Sequence, residues 1–160
     1  MIDRLVIVGA GLIGGSFALA LKEAGVVRSV AGLGRSPEAM ARALELGIVD
    51  QVCATAQEAM RGADLVLIAA PVGQTGPILA SLLPWLEPST LITDAGSTKC
   101  DVVAAASAAL GARVSQFVPG HPIAGSESNG PDAAIRASSR NDSTSRCSLA
   151  RSGRIRLITT

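Results

Sequence analysis

The stretch RLVIVGAGLIGGSFALAL, Arg4 to Leu21, decides the fold. Its apolar run Leu5–Val8 predicts a buried strand, and the Ala- and Leu-rich spacing over Leu12–Ala24 predicts a helix. A glycine-rich turn joins the two. A strand, a tight turn and a helix in this order are the opening of a nucleotide-binding α/β domain.

The turn has the spacing Gly9-x-Gly11-x-x-Gly14. In this motif Gly9 permits the tight turn, Gly11 lets the backbone approach a pyrophosphate, and Gly14 lets the helix pack against the strand. The first helical amides, at Leu12 and Ile13, are then free to bind phosphate oxygens. The same spacing also occurs in glycine-rich turns that bind nothing, so the strand and helix around it support the prediction of dinucleotide binding.

The rest of the chain alternates short apolar runs with segments of helical spacing. Strands are predicted at Leu5–Val8, Ser29–Leu33, Leu65–Ala69, Thr90–Asp94 and Arg113–Val118, with a weaker one near Val49–Cys53. Helices are predicted at Leu12–Ala24, Pro37–Leu46, Ala56–Arg61, Thr75–Leu83 and Lys99–Leu110. Continuous apolar strands, each followed by a helix, indicate a Rossmann-type doubly wound parallel sheet of about six strands in a three-layer α/β/α arrangement.

The end of the second predicted strand bears on the choice of cofactor. An Asp or Glu there would bind the adenosine ribose of NAD, but this chain has Gly34 at that position, followed by Arg35 and Ser36. A guanidinium without a competing carboxylate favours the 2′-phosphate of NADP over NAD. The alternative is that Arg35 is a solvated charge and Ser36 only a helix N-cap.

Composition narrows the class of protein. The 160 residues are a size typical of one domain, and they are 48% hydrophobic and 17% charged. The 2% aromatic content gives no surface on which bases could stack, which argues against a nucleic-acid partner. Three widely spaced cysteines predict reduced thiols in the cytoplasm and no metal site, and the absence of a long apolar run predicts no membrane span.

Several stretches together resemble the nucleotide-binding half of prephenate dehydrogenases, also called cyclohexadienyl or TyrA-type dehydrogenases. The resemblance covers about residues 3–134, and it is most specific in two motifs that follow predicted strands. These are TDAGSTK, ending at Lys99, and FVPGHPIAGSESNG, ending at Gly130. The resemblance implies oxidative decarboxylation of prephenate to 4-hydroxyphenylpyruvate, with hydride transfer to NAD(P)+, in tyrosine biosynthesis.

The resemblance also implies roles for individual residues. His121 would accept a hydrogen bond from the substrate hydroxyl and take its proton, since a neutral imidazole suits that step near neutral pH. Ser97 would help to hold the same hydroxyl. Ala70, Pro71 and Val72 match the family's loop against the cofactor, with Ala70 in place of the more usual threonine. Without the resemblance, His121 would be a turn residue and Ser97 a helix cap.

The chain departs from the resemblance after residue 134. Residues 136–160 carry six Arg and one Asp, net +5, whereas residues 1–135 carry net −4. This predicts a Rossmann domain over 1–134 and a disordered, Arg- and Ser-rich tail over 135–160, where a shifted reading frame replaces the family's helical dimerisation domain. A basic arm for nucleic acid or anionic lipid is the alternative.

These departures leave the function open between two classes. One is a prephenate dehydrogenase, a homodimer in its family, impaired because residues 1–135 offer few cations for the dianionic small-molecule substrate beyond Lys99 and Arg113. The other is a non-catalytic NAD(P)-binding fragment. An arogenate dehydrogenase is a further alternative, and a reductase resembling 6-phosphogluconate dehydrogenase is a weaker one. A role for Glu127 in the site is a further expectation.

Overall fold

A computed structural model describes residues 1–120. His121, Glu127 and the predicted tail lie outside these residues. The strands are β1 Ile2–Val8, β2 Val27–Leu33, β3 Gln51–Val52, β4 Leu65–Ile68, β5 Leu91–Asp94 and β6 Phe117–Val118. The helices are α1 Leu12–Glu23, α2 Pro37–Glu45, α3 Ala56–Met60, α4 Thr75–Leu82 and α5 Lys99–Leu110, with short 3₁₀ helices at Val72–Gln74, Leu83–Trp85 and Gly111–Gln116.

The strands form one parallel sheet with the order β3-β2-β1-β4-β5-β6. The order reverses direction between β1 and β4, which is the crevice where doubly wound sheets bind ligands. The carboxyl ends lie level, because Val8 pairs with both Leu33 and Ile68, and Ile68 pairs with Asp94. The prediction of a six-stranded Rossmann-type sheet is confirmed. The loops after β1, β2, β4 and β5 therefore begin side by side along the carboxyl edge of the sheet.

Both faces of the sheet are covered by helices. Leu5 and Ile7 of β1 belong to an apolar cluster with residues of α1 and α2, whereas Val6 and Val8 belong to a second cluster with residues of α3, α4 and α5. Successive side chains of a strand point to opposite faces, so β1 is apolar at four consecutive positions because it is buried on both sides. The continuous apolar run therefore reflects a central strand.

The predicted helix starts carry their capping hydrogen bonds. The Ser36 hydroxyl accepts from the Ala39 amide at 3.2 Å, before Pro37 at the first helical position. The Thr55 hydroxyl accepts from the Glu58 amide at 3.2 Å. The Glu58 carboxylate in turn accepts a hydrogen bond from the amide of Ala54, one residue before the cap, at 3.0 Å. These bonds satisfy amides that have no partner inside the helix.

The last predicted strand, Arg113–Val118, is wrong over most of its length. Gly111, at φ 53°, ends α5, and the chain continues as a 3₁₀ helix up to Gln116, so only Phe117–Val118 pairs with β5. The Arg113 side chain donates to Gln116 at 2.8 Å, and the Gln116 amide group donates to the Thr90 carbonyl at 2.7 Å. Local side-chain bonds thus hold the tight turns in a stretch whose β-branched pattern suggested a strand.

Two of the three cysteines lie in the described part, and neither forms a disulfide there. Cys53 is buried in the core, and this burial raises the pKa of its thiol, to which the nearby Glu58 carboxylate adds. Within residues 1–120 no group of three or more metal-binding side chains occurs. None of the helices in that range has the length and apolar character needed to cross a membrane.

We expect the two neighbouring residues Ile92 and Leu91 of β5 to differ sharply in their contribution to stability. Ile92 is 0% exposed and Leu91 48% exposed. Ile92→Ala should lower the free energy of unfolding by roughly 3 kcal/mol, because it removes buried methyl groups and leaves a cavity. Leu91→Ala should change it by less than about 1 kcal/mol. Urea denaturation of both variants checks this, and equal losses would contradict the assignment of the two faces.

Candidate functional site

A cavity of about 440 Å³ opens at the carboxyl edge of the sheet, where β1, β2 and β4 end. Its walls come from the turn after β1, the loop after β2, and the segment from the end of β4 into α4. The lining residues are Val8–Gly11, Leu33–Ser36, Ala39, Met40, Ala69–Pro71, Gln74, Ile78 and Ser81. The cavity therefore lies at the crevice where the strand order reverses.

The turn after β1 packs against β4 through backbone atoms. Gly9 has φ 93°, and a Cβ there would lie 2.5 Å from the carbonyl oxygen of Ala69. A Cβ on Gly14 would lie 2.2 Å from the carbonyl oxygen of Gly9 and 3.0 Å from Ile7 Cγ2. Both positions need glycine, since side chains at these places would push the turn and α1 away from the sheet.

Gly11 is free of such constraints. It is the N-cap of α1, with φ −80°, and a Cβ there would meet nothing within 4 Å. No side chain caps the helix and no acidic residue occupies its first turn. Because the first amides of a helix lack intrahelical acceptors and carry the positive end of its dipole, this terminus has the properties of a phosphate site. A pyrophosphate can approach over Gly11, and the residues present fit that group.

The end of β2 has no carboxylate at the first position of its loop. Gly34 lies beside the thioether of Met40, whose Cε would be 2.8 Å from a Cβ at position 34. Arg35 is exposed at the rim of the cavity. A guanidinium in this place can bind a phosphate on the adenosine ribose.

The Ser36 hydroxyl already has two hydrogen-bond partners within the protein. Its hydroxyl caps α2 and also donates to the Glu38 carboxylate at 2.8 Å. Hydrogen bonds from its own backbone amide and from Ser36 lower the pKa of Glu38, so that this exposed carboxylate is charged beside the site. Arg35 and Glu38 thus have opposite effects on an anion bound at the start of α2.

The structure brings six of the predicted cofactor residues to the cavity wall: Gly9, Gly11, Arg35, Ser36, Ala70 and Pro71. Leu12, Ile13 and Gly14 form the first turn of α1 but do not line the cavity. Val72 instead packs against the loop after β5, where its Cγ2 would be 3.1 Å from a Cβ on Gly96.

Gln74, Ile78 and Ser81 form a further part of the cavity wall, and sequence reasoning missed Ile78 and Ser81. These residues are four and three positions apart, which places them on one face of a helix. Their spacing directly after the β4 loop was a signal that could have identified them.

The loop after β5 carries Ser97, which is exposed. The N-cap of α5 is Thr98, and its side chain makes no capping bond. Sequence reasoning also missed Asp94, the last residue of β5, which is 1% exposed. The Asp94 carboxylate accepts hydrogen bonds from the Gly96 amide at 2.7 Å, the Lys99 ammonium at 2.6 Å and the Gly120 amide at 3.1 Å.

Comparison with known proteins agrees with this geometry. The family model of the prephenate dehydrogenase nucleotide-binding domain matches residues 17–145, which is most of the chain. The chain belongs to the prephenate dehydrogenase family.

Two curated relatives and one solved structure show the extent of the similarity within the prephenate dehydrogenase family. The chain is 42% identical over 135 residues to the prephenate dehydrogenase of Bacillus subtilis, covering 84% of this chain and 36% of that protein. It is 39% identical over 130 residues to the cyclohexadienyl dehydrogenase of Zymomonas mobilis, covering 81% and 44%. The crystal structure of prephenate dehydrogenase from Aquifex aeolicus, in complex with hydroxyphenyl propionate and NAD+, superposes with a TM-score of 0.76 at 33% identity, covering 84% of this chain and 46% of that one. The chain thus spans less than half the length of these relatives.

We expect Gly14 and Gly11 to differ sharply in the effect of an added methyl group on stability. Gly14→Ala should lower the free energy of unfolding by about 2 kcal/mol or more, because its Cβ meets backbone atoms that cannot move independently. Gly11→Ala should change it by less than about 1 kcal/mol, since the methyl group enters open space at an N-cap. Thermal or urea unfolding of both variants measures the difference, and a stable Gly14→Ala protein would show that α1 lies farther from β1.

Proposed function

We propose that this chain binds a dinucleotide across the carboxyl edge of its sheet, with NADP preferred over NAD. The observation that carries the proposal is the uncapped start of α1 beside Gly11, open to a cavity of about 440 Å³. Backbone amides of the first turn, Leu12–Gly14, would hold the pyrophosphate, and Ala70 and Pro71 would contact the cofactor from the β4 side. Gly34 and Arg35 support NADP, while the Glu38 carboxylate reduces that preference.

We further propose the reaction of the family as the function: oxidative decarboxylation of prephenate to 4-hydroxyphenylpyruvate. Bound NADP+ would supply the hydride acceptor. Ser97 and His121 would act on the substrate, Ser97 by orienting its ring hydroxyl and His121 by accepting the proton of that hydroxyl. Family membership and the position of the Ser97 loop at the carboxyl end of β5 support these roles. The division into a Rossmann domain over 1–134 and a separate segment over 135–160 is part of the same proposal.

Selectivity for the 2′-phosphate gives the first test. Arg35→Ala should weaken NADPH binding by about tenfold, because it removes a charge-assisted contact, and should change NADH binding by no more than about twofold. Glu38→Gln should strengthen NADPH binding by roughly threefold, because it removes a like charge. Fluorescence titration with both reduced cofactors measures these changes.

Arg28→Ala is the matched control for Arg35. Arg28 is an exposed arginine near the start of β2, whereas Arg35 follows the end of that strand. Arg28 pairs with Asp3 at 3.4 Å and does not line the cavity. Its removal should leave both affinities unchanged. Equal losses of NADH and NADPH in Arg35→Ala would contradict the preference for NADP.

The reaction is tested by incubating the chain with NADP+ and prephenate, or arogenate in parallel, and following formation of NADPH. Ser97→Ala should lower kcat by about a hundredfold with little effect on NADPH binding, because it removes a group that orients the reacting hydroxyl. Ser107→Ala, an exposed serine within α5, is the control and should retain full activity. No turnover together with tight NADPH binding would overturn the enzymatic proposal in favour of a nucleotide-binding unit.

A further inference from the structure

Asp94 joins two loops that are far apart in sequence. Its Oδ2 atom accepts from the Gly96 amide at 2.7 Å and from Lys99 Nζ at 2.6 Å, both in the loop after β5 and the start of α5. Its Oδ1 atom accepts from the Gly120 amide at 3.1 Å, in the segment after β6. One buried carboxylate therefore fixes the backbone of both loops at a common point.

Both amide donors belong to glycines that have no room for a side chain. A Cβ on Gly120 would lie 2.6 Å from Thr93 Oγ1 and 2.8 Å from the Asp94 carbonyl oxygen. A Cβ on Gly96 would lie 2.9 Å from Val102 Cγ2 and 3.0 Å from Asp94 Oδ2. Only glycine lets these two backbones come close enough for their amides to reach the carboxylate.

The negative charge of the Asp94 carboxylate is balanced by the Lys99 ammonium. The side chain of Asp94 is 2% exposed and that of Lys99 33% exposed, so the pair lies at the boundary between the interior and the edge of the sheet. A buried carboxylate requires a cation and several donors to offset the loss of its hydration, and here it has one ammonium and two amides. It follows that Lys99 balances a structural charge and is not a free cation for an anionic substrate.

We propose that Asp94 is a positioning residue that holds the backbones at Gly96 and Gly120, in the nicotinamide half of the site, in fixed relation. The inference rests on the proposed function, because Gly96 directly precedes Ser97 and because Gly96 and Gly120 both lie just beyond the carboxyl ends of β5 and β6. In a doubly wound sheet one mononucleotide half lies over β1 to β3 and the other over β4 to β6, so Asp94 belongs to the second half alone. Its removal should therefore affect binding of the nicotinamide end and spare binding of the adenosine end.

Asp94→Asn is the substitution that tests the carboxylate most specifically. Asparagine has nearly the same shape, but its amide nitrogen is a donor and would face either the Gly120 amide or both the Gly96 amide and the Lys99 ammonium. Lys99 would also lose its counter-charge. The Gly96 and Gly120 amides could then no longer both be held by the same side chain.

The experiment compares two ligands on the full chain by calorimetry: NADPH, which occupies both halves, and 2′-phospho-ADP-ribose, which lacks the nicotinamide. We expect Asp94→Asn to weaken NADPH binding by about tenfold and 2′-phospho-ADP-ribose binding by no more than about twofold. A loss of folded protein alone would reduce both affinities alike. The backbone amide resonances of Gly96 and Gly120 should also shift in this variant.

Asp50→Asn is the matched control. Asp50 likewise accepts from a backbone amide, that of Val30 at 2.8 Å, and pairs with a lysine, Lys22, at 2.6 Å. It directly precedes β3, level with Val30 in the middle of β2, and does not line the cavity, so both affinities and both glycine resonances should be unchanged.

A second variant keeps the test decisive if Asp94→Asn does not fold. Gly120→Ala leaves the carboxylate and Lys99 in place but forces residue 120 away from Thr93 and Asp94, and it should produce the same selective loss of NADPH binding. Equal losses for the two ligands, or no loss in either variant, would overturn the positioning role. Failure of the unmodified chain to bind either ligand would instead contradict the proposed function.

Discussion

The close contact between the turn after β1 and the loop after β4 is the constraint on which the site depends. Gly9 approaches the carbonyl oxygen of Ala69 so closely that a Cβ would lie 2.5 Å from it, and Gly14 is held against Gly9 in turn. Because no side chains separate these backbones, α1 begins directly over the crevice between β1 and β4. The cavity, the uncapped helix start and the open approach over Gly11 all follow from this spacing.

Much of this arrangement could be predicted from the sequence, because its signals are local. The apolar run Leu5–Val8 marks a strand buried on both faces, and the glycine spacing after it fixes the turn and helix. The strand predicted from Arg113 failed because the same residues satisfy a 3₁₀ helix once Gln116 bonds to the Thr90 carbonyl. That bond spans 26 residues and leaves no trace in a local pattern.

Asp94 was missed for a related reason. An aspartate at the end of a strand is an ordinary loop residue in sequence, and only the pairing of β5 with β6 brings Gly120 to its carboxylate. Gln74, Ile78 and Ser81 are different, since their helical spacing was visible and only their direction toward the cavity was not. Long-range contacts that depend on register are thus the part of the site that a single sequence does not reveal.

Along the carboxyl edge of the sheet, the loops after β1 and β4 and the loops after β5 and β6 are held by different interactions. At β1 and β4, backbone packing and a helix terminus present partial positive charge with no ionised side chain involved. At β5 and β6, a buried carboxylate and a lysine hold the loops. The first depends on shape, and the second also depends on the integrity of an ion pair.

The lengths of the strands add a further consequence. β1 has seven residues and lies near the middle of the sheet, whereas β6, at one edge, has two. Free energies of local opening rise with burial and with the number of hydrogen bonds that must break, so backbone amides should exchange with solvent most slowly in β1 and faster in the two short edge strands, β3 and β6. The turn after β1 would then be attached to the most protected strand, and Gly120 to one of the least protected ones. Such a gradient would keep the turn after β1 rigid while the edge strands open and reclose without global unfolding.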